Sequence, residues 1–416
     1  MTTEKHPDFV PITASDQLRR APKRWSWKLL TDLARLESGH TPSRYRDDWW
    51  GGDISWLSLT EIRELHGKWV TETQIRTNSE GIANSAARVL PRGTVCLSRT
   101  ASVGFVAIME NPMATSQDFA NWVCGDDLDP EFLMYALIWS REYLRSIASG
   151  ATHKTIYMPQ LESFHICTPD RPMQEQIVSE LKGRLVEVQA ARQAAVNQLR
   201  YAAALKSRAL ESIFAGISKR NAIGTVGNVQ SGYAFKSDTF TTDGVRLLRN
   251  TNILPGQVYW DDQAFLSEED AKPFKIYELN DGDVLISLDR PIISSGIKVA
   301  RVGATDLPAL LVQRVGRFLI DSERLDPDYL YAYLQTQMFI SAISGHDRSL
   351  GVPHISPTQV ENVEIPLPDV TTQRKLSKQL NEVAREWQVI RSAIQAQLAD
   401  LTMLPNAILA QAFESS

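Results

Sequence analysis

Residues 173–216 read MQEQIVSELKGRLVEVQAARQAAVNQLRYAAALKSRALESIFAG, and this run decides the fold. Within it Ile177, Leu181, Leu185, Val188, Ala195, Leu199, Ala202, Ala209 and Ile213 recur at steps of three or four, or at multiples of the heptad. That spacing is the seam of a long helix. Good helix formers fill Gln189 to Ala194, no proline interrupts, and Gly216 stands where a helix C-terminus is expected. At about 1.5 Å per residue the helix would span roughly 60 Å. A helix of that length needs an equally long partner to bury its seam. From Gln373 onward Leu376, Leu380, Val383, Trp387, Ile390, Ile394, Leu398 and Leu401 again step by three and four. The expected coiled-coil contacts are Leu181, Leu185, Val188 and Leu199 on the first helix, with Leu380, Val383, Trp387, Ile390, Ile394 and Leu401 on the second. Two seams separated by a whole domain most simply pair antiparallel within one chain, with a domain at each end. The competing arrangement is an intermolecular coiled coil.

Length and composition bound the surroundings. A chain of 416 residues supports two to three domains with sizeable cores, and 43% hydrophobic with 22% charged residues describes a soluble globular protein. No apolar run approaches the ~20 residues needed to cross a bilayer, and the polar start (Thr2, Glu4, Lys5, His6) is no secretory signal. The expectation is a cytoplasmic protein with no membrane partner. Cys96, Cys124 and Cys167 are widely separated and odd in number, which suggests neither a disulfide framework nor a zinc site. A net charge of −5 argues against a general polyanion binder but leaves room for local basic faces.

The chain executes one plan twice. Ile54-Ser55-Trp56-Leu57-Ser58-Leu59-Thr60-Glu61-Ile62 parallels Val245-Arg246-Leu247-Leu248-Arg249-Asn250-Thr251-Asn252-Ile253 at an offset of 191. Leu128-Asp129-Pro130-Glu131-Phe132-Leu133 matches Leu325-Asp326-Pro327-Asp328-Tyr329-Leu330 at 197. Pro169 and Gln174 match Pro368 and Gln373, and Leu205 and Phe214 match Leu404 and Phe413, all at 199. So long a repeat is a duplicated module, a globular domain followed by a long helix. The expected layout is an N-terminal tail (residues 1–24), a first domain (25–170), a central long helix (171–217), a second domain (218–369) and a C-terminal long helix (370–416).

Each domain reads as α+β. Val95-Cys96-Leu97-Ser98, Phe105-Val106-Ala107-Ile108, Val284-Leu285-Ile286-Ser287 and Lys298-Val299-Ala300 look like strands. After each Asp-Pro an amphipathic helix is expected, from Glu131 to about Ile147 and from Asp328 to about Ile343. The fold class is therefore two similar α/β domains separated by two long helices that form an antiparallel intramolecular coiled coil.

Motif searches for catalysis come back empty. There is no Walker-type loop, no Gly-x-Gly-x-x-Gly, no His-Glu-x-x-His and no Gly-x-Ser-x-Gly. Asn111-Pro112-Met113-Ala114 lacks the second proline and the aromatic of an amino-methyltransferase motif. Pro169-Asp170 followed by Glu180-Leu181-Lys182 does spell a metal-dependent nuclease pattern. Such a pattern requires a strand, however, whereas these residues lie in a helical heptad where Glu180 and Lys182 diverge by about 200°.

What remains is a set of basic, amide and aromatic residues in corresponding loops. In the first domain they are Arg44, Tyr45 and Arg46, then Ser98-Arg99-Thr100, Gln117 after Ser116, and His153-Lys154. In the second they are Tyr233 and Lys236, then Arg249-Asn250, Arg290 after Asp289, Gln313-Arg314 and Arg348. Such side chains read base edges and grip phosphates. Singly each is an ordinary surface residue, but their recurrence on two domains joined by a rigid spacer suits duplex DNA with two segments at a fixed separation. Arg46 and Arg99 are the leading candidates for base or phosphate contacts.

At this point the pattern resembles the specificity subunit of type I restriction-modification enzymes, over essentially the whole chain from Trp25 to Phe413. The residues that carry the resemblance are Ser38-Gly39-His40-Thr41-Pro42-Ser43 with Trp50-Gly51-Gly52-Asp53-Ile54-Ser55-Trp56, then Pro169 with Gln174-Glu175-Gln176, then Leu404-Pro405-Asn406-Ala407-Ile408-Leu409-Ala410-Gln411-Ala412-Phe413. The resemblance implies two target-recognition domains, each reading one half of a split, asymmetric site in double-stranded DNA. It implies that the helices dock two methyltransferase subunits, which bring S-adenosylmethionine and methylate adenine. Restriction subunits using ATP and Mg would join them to translocate and cut, in defence against phage. The chain itself would bind no cofactor or metal and would be non-catalytic. One departure is that the second helix begins Thr372-Gln373-Arg374 in place of Gln-Glu-Gln, which bears on whether both helices present the same docking surface. Two other classes stand beside this reading: a metal-dependent nuclease built on Asp170 and Glu180, and a coiled-coil scaffold without DNA binding.

Overall fold

A computed structural model describes residues 9–14, 20–150, 153–344 and 354–414. Two compact units divide the chain, one running to Ala194 and resuming at Gln397, the other Ala195–Ala396. Each unit holds one α+β domain, the beginning of one long helix and the end of the other.

The two domains share a strand order. In the first, a five-stranded sheet runs Ala34–Ser38, Phe119–Cys124, Val95–Ser98, Val106–Met109 and Trp69–Val70, antiparallel except for the last pair. In the second, Gly227–Ser231, Val315–Ile320, Val284–Ser287 and Val299–Arg301 are antiparallel throughout. A smaller sheet lies beside each. Trp50–Leu57 pairs antiparallel with Arg76–Thr77 and parallel with Ala114–Thr115, as Val245–Leu248 pairs with Phe265–Leu266 and Ala309–Leu311. Leu57 stands opposite Thr115 and Leu248 opposite Leu311, so 57 answers to 248 at the offset of 191 seen in the sequence.

The central strands read as continuous apolar runs because both of their faces are covered. Their side chains alternate between two cores. Val95, Leu97, Val106 and Ile108 join the core that holds the helices, while Cys96, Ala107 and Met109 join a smaller one with Leu57 and Ile62. Val284, Ile286 and Val299 divide from Leu285, Ala300 and Val302 in the same way.

After each Asp-Pro a helix begins as expected. The carboxylates of Asp129 and Asp326 accept backbone N–H groups of the first turn. The single helix expected beyond is two helices, Pro130–Trp139 with Arg141–Ile147, and Pro327–Leu334 with Gln337–Ser344. The break falls at a buried hydroxyl residue. Ser140 Oγ accepts the Ile12 amide, and Thr336 Oγ1 donates to the Tyr333 carbonyl and accepts the Phe339 amide. At Thr336 the hydroxyl is bonded to nearby backbone, which competes with helix continuation; at Ser140 it is bonded to a strand residue 128 positions away.

The long helices are Arg171–Ala215 and Val370–Glu414. Their inward positions keep a heptad counted from a buried glutamine. On the first helix Gln174, Leu181, Val188, Ala195, Ala202 and Ala209 form one row, and Val178, Leu185, Arg192, Leu199, Lys206 and Ile213 the other, with only Arg192 exposed. On the second, Gln373, Leu380, Trp387, Ile394, Leu401 and Ile408 match the first row at an offset of 199. Ser377, Ala384, Arg391, Leu398, Pro405 and Ala412 form the other, with only Ala384 exposed; Val383 beside it is half-buried. Two expected seam residues, Val383 and Ile390, fall one position before this second row, and they differ in burial. Val383 is half-buried, whereas Ile390 is 46% exposed and Arg391, four residues after Trp387, is the half-buried residue at that level; the apolar stem of an arginine suits such a position.

Within the second unit the helices run antiparallel. Lys206 lies near Arg391, while Leu210 and Phe214 share a core with Leu376 and Leu380, so numbers rise along one helix as they fall along the other. In the first unit Val178 and Leu181 share a core with Leu409 and Phe413, and Arg184 donates to Gln411 at 2.6 Å. Phe413 packs on Phe132 and Trp25 at ring distances of 5.6 and 6.2 Å. Phe214 packs on Tyr329 and Tyr333 at 5.1 and 5.4 Å. Each long helix thus begins on the domain that precedes it and ends in the core of the other.

Candidate nucleic-acid interface

The loops singled out in the sequence leave one end of the larger sheet. Ser38 and Ser98 end their strands opposite Ala120 and Phe119, and Ser231 and Ser287 end theirs opposite Gly316 and Val315. The chain turns there through Gly39 and Gly232, where a side chain is excluded. A Cβ would stand 2.1 Å from the Ser116 carbonyl oxygen in one domain and 2.2 Å from that of Val312 in the other.

In the first domain the structure links these loops through backbone carbonyls. Arg99 donates from Nη2 to the Gln117 carbonyl at 2.9 Å and from Nη1 to that of Ile156 at 3.3 Å. Its Nε is buried without a partner, and burial lowers its pKa. Arg99 is therefore a strut between loops as well as a cation at the edge. Thr100 bridges to Thr155, and the carbonyl of Lys154 accepts the Ala101 amide at 2.9 Å. Gln117 accepts from Thr41, which ties in the loop of Arg44, Tyr45 and Arg46. There Arg44 lies over the Trp50 and Trp56 rings at 5.8 and 5.7 Å. Arg46 chelates Asp48 through two hydrogen bonds of 2.9 and 2.7 Å and stacks on Trp49. Between these two braced arginines Tyr45 is 99% exposed. His153 and Lys154 are exposed, whereas Ser98 is fully buried, its hydroxyl donating to the Ser102 carbonyl.

The second domain gathers its residues on a carboxylate. Asp289 accepts from Arg314 at 3.1 Å and Asn250 at 3.3 Å, and pairs with His354 at 3.0 Å. Arg290 follows in the left-handed region at φ +46° and is exposed, as are Gln313 and Lys236. Tyr233 packs on Phe235, Phe274 and Tyr277 at 5.0, 4.6 and 5.7 Å. Arg249 stands apart from the Asp289 group, its Nη2 bonded to the carbonyl and carboxylate of Asp262. Arg348 lies outside the described residues.

Backbone hydrogen bonds set these two edges in correspondence. The Ile156 amide donates to Arg99 and the Ile355 amide to Leu288; the Arg99 amide donates to Asp118 and the Leu288 amide to Arg314. Arg99 thus answers to Leu288, Asp118 to Arg314, Thr100 to Asp289 and Ala101 to Arg290, both of the last pair with positive φ. The frame is one and the side chains on it differ. Asp289 lies in a loop already singled out in the sequence, but its pairing with His354 joins loops 65 positions apart, which no local spacing announces, so His354 escapes a reading of the sequence.

The nuclease pattern dissolves into structure. Asp170 Oδ1 accepts the Met173 amide at 3.1 Å, and Asp369 Oδ1 accepts that of Thr372 at 3.0 Å, so both aspartates cap a long helix. Glu180 bonds Gln176, and Lys182 pairs with Glu131 at 2.9 Å. Among the described residues no group of three or more His, Cys, Asp or Glu side chains could hold a metal, and no helix is long and apolar enough to cross a membrane.

A family model described as the type I restriction modification DNA specificity domain matches residues 22–196 and again 219–399. The chain is 39% identical over 191 residues to the Escherichia coli type I restriction enzyme EcoAI specificity subunit, covering 45% of this chain but only 32% of that relative. It is 25% identical over 383 residues to the Methanocaldococcus jannaschii MjaVIII specificity subunit, covering 88% of this chain and 87% of that one. Among solved structures, a chain from a study of complex assembly and conformational transition in the type I R-M system superposes with a TM-score of 0.74 at 17% identity, covering 95% of this chain and 99% of that one. The HsdS subunit from Thermoanaerobacter tengcongensis gives 0.57 at 18% identity over 95% and 98%. At these identities the two structures speak for the fold.

Proposed function

Since the chain belongs to the type I restriction modification DNA specificity family, we propose that it is the recognition subunit of such a complex, each domain reading one half of a bipartite, asymmetric site in double-stranded DNA. The observation that carries this reading is the duplicated edge: one hydrogen-bonded frame, with Arg99, Thr100, Ala101 and Asp118 on one copy and Leu288, Asp289, Arg290 and Arg314 on the other. Identical frames place two sets of side chains alike, and unlike side chains select unlike bases. In this reading the domains are residues 25–170 and 218–369, the helices between them fix the spacer, and the chain itself carries no catalytic group. Methyl transfer from S-adenosylmethionine belongs to two methyltransferase subunits, and ATP-driven translocation and cutting to restriction subunits.

The outer faces of the helices support docking of such partners. Val186, Tyr201 and Leu205 on the first helix and Val389, Met403 and Leu404 on the second are large apolar side chains exposed on elements whose inner stripe is already covered. Leu205 and Leu404 occupy corresponding positions, 199 apart. Exchanging residues 25–170 for those of a relative tests the assignment. The complex should methylate sites altered in one half only. Alteration of both halves, or of neither, would overturn it.

A further inference from the structure

We propose that Arg63 and Arg141 form a seat for one phosphate of the DNA backbone, beside the 99–105 loop of the first domain, with neither arginine at the corresponding positions of the second. The proposal rests on the DNA-recognition reading above and adds the ligand group and the residues. The Arg141 guanidinium lies 4.1 Å from the centre of the Phe105 ring, and that of Arg63 lies 5.7 Å from the same centre. Arg63 also donates to Ser102 Oγ at 3.3 Å, so two cations from separate elements meet at one loop. Gly104, at φ +90°, lets that loop close onto Arg141; a Cβ there would stand 2.6 Å from Arg141 Cγ.

The seat is not neutralised from within. Arg76, Arg88 and Arg92 of the same domain each pair with a carboxylate, and Arg145 next to Arg141 pairs with Glu142. Neither Arg63 nor Arg141 has a carboxylate within ion-pairing distance among the described residues, and Arg141 Nε is buried with no partner. The third group on the ring, His66, meets Phe105 edge-on at 5.3 Å and accepts the Val106 amide at Nδ1, which makes it a neutral neighbour. Its pKa falls to about 4, through burial first and the charge of Arg141 second.

Two guanidiniums with no carboxylate paired to either are suited to an anion. The group on duplex DNA with that chemistry is the phosphodiester. A single arginine fork can also read guanine, and dependence of the loss on duplex sequence separates that contact from a phosphate. At the corresponding positions the second domain carries neither arginine. Arg141 follows the helix-breaking Ser140 as Gln337 follows Thr336, and Arg63 falls opposite Leu254 in the repeat.

Binding of the full chain to a duplex of random sequence, measured across a salt series, tests the seat. Arg63→Gln, at an exposed position, should weaken binding about tenfold at low salt and reduce the slope of log affinity against log salt by about 1. Arg141→Gln should act likewise, and the double variant no more than slightly further if both hold one phosphate. The loss should be the same on duplexes of different sequence. An unchanged salt slope in Arg63→Gln, with wild-type affinity and unfolding midpoint, would overturn the seat and leave the recognition reading standing. A loss that depends on duplex sequence would also overturn it, in favour of a base contact. Failure of the wild-type chain to bind any duplex even with its methyltransferase subunits present would instead overturn the recognition reading on which the seat depends.

Discussion

Gln174 accepts the backbone amide of Asp129 at 2.8 Å, and the same carboxamide donates to the carbonyls of Asp127 and Pro169 at 3.1 and 3.0 Å. Gln373 repeats all three bonds, to the Asp326 amide and the Arg324 and Pro368 carbonyls. Both side chains are fully buried. Each joins the first turn of a long helix to the loop that starts its domain's helix pair. Truncation leaves buried backbone groups without partners, at about 1–3 kcal/mol for each group stranded. Gln174→Ala should therefore lower stability by roughly 2–4 kcal/mol, and Gln373→Ala by a similar amount, read as shifts in the denaturation midpoint. A loss below about 0.5 kcal/mol would mean that water replaces the carboxamide.

His66 makes stability depend on pH. Its folded pKa of about 4 lies below the ordinary value of 6.5, so the folded chain binds fewer protons than the unfolded one in the window between. The stability this group contributes is fully present above about pH 6.5 and is lost as pH falls toward 4. With allowance for solvent screening the loss is on the order of 1–3 kcal/mol. Asparagine can place an oxygen near the position of Nδ1 without titrating. Denaturation of His66→Asn at about pH 7 and about pH 4.5 should show a smaller drop than wild type. Equal drops would assign the acid sensitivity to carboxylates alone.

Much of the architecture is legible in the sequence because it is written in local periodicity. The seven-residue spacing around Leu181 and Leu380 and the Asp-Pro helix starts at Asp129 and Asp326 need no knowledge of distant contacts. Gln174 and Gln373 stand out as a matched pair, yet their task depends on Asp127 and Arg324, nearly fifty positions upstream. Ile390 illustrates the opposite limit. A step of three from Trp387 to Ile390 and a step of four to Arg391 both suit a helix, and hydrophobicity favours the isoleucine. The heptad counted from Gln373 selects the arginine, whose stem can lie on the stripe. The loop residues are visible as types, whereas the frame that aligns Arg99 with Leu288 is made of backbone bonds that leave no mark on side-chain identity. Arg63 and Arg141 escape notice for a similar reason, since only the fold brings them to Phe105.

The struts at the interface separate two roles that arginine can combine. Arg99 holds two carbonyls and is partly buried, so Arg99→Ala should lower the unfolding midpoint and, if its remaining donors face a base, cost DNA affinity by about 1–3 kcal/mol. Arg46 is bonded only within its own exposed loop, so Arg46→Ala should leave the midpoint within about 0.5 kcal/mol of wild type while weakening DNA binding. Measuring unfolding and duplex binding on both variants decides the matter. Unchanged binding and methylation by the double variant would remove both residues from the interface.

The spacer invites the most demanding test. If the first long helix sets the interval between the two recognition domains, four added residues should extend it by about 6 Å and rotate the second domain by about 40°. The insertion should not fall after Ser207, where the helix is already seated on its domain: Lys206 donates to Gln335 and Leu210 is buried in the core. Arg192, the one exposed member of this helix's inward rows, marks a less costly place. Duplex DNA rises about 3.4 Å per base pair, so the preferred gap between half-sites should lengthen by one or two pairs. The bases read in each half should not change, because the loops around Arg99 and Asp289 are untouched. Some stability should be lost, since four residues do not restore a seven-residue frame. Mapping methylated sites across a genome for the insertion variant settles the point. An active variant with its original gap would mean that flexible docking, rather than the helix, sets the spacing.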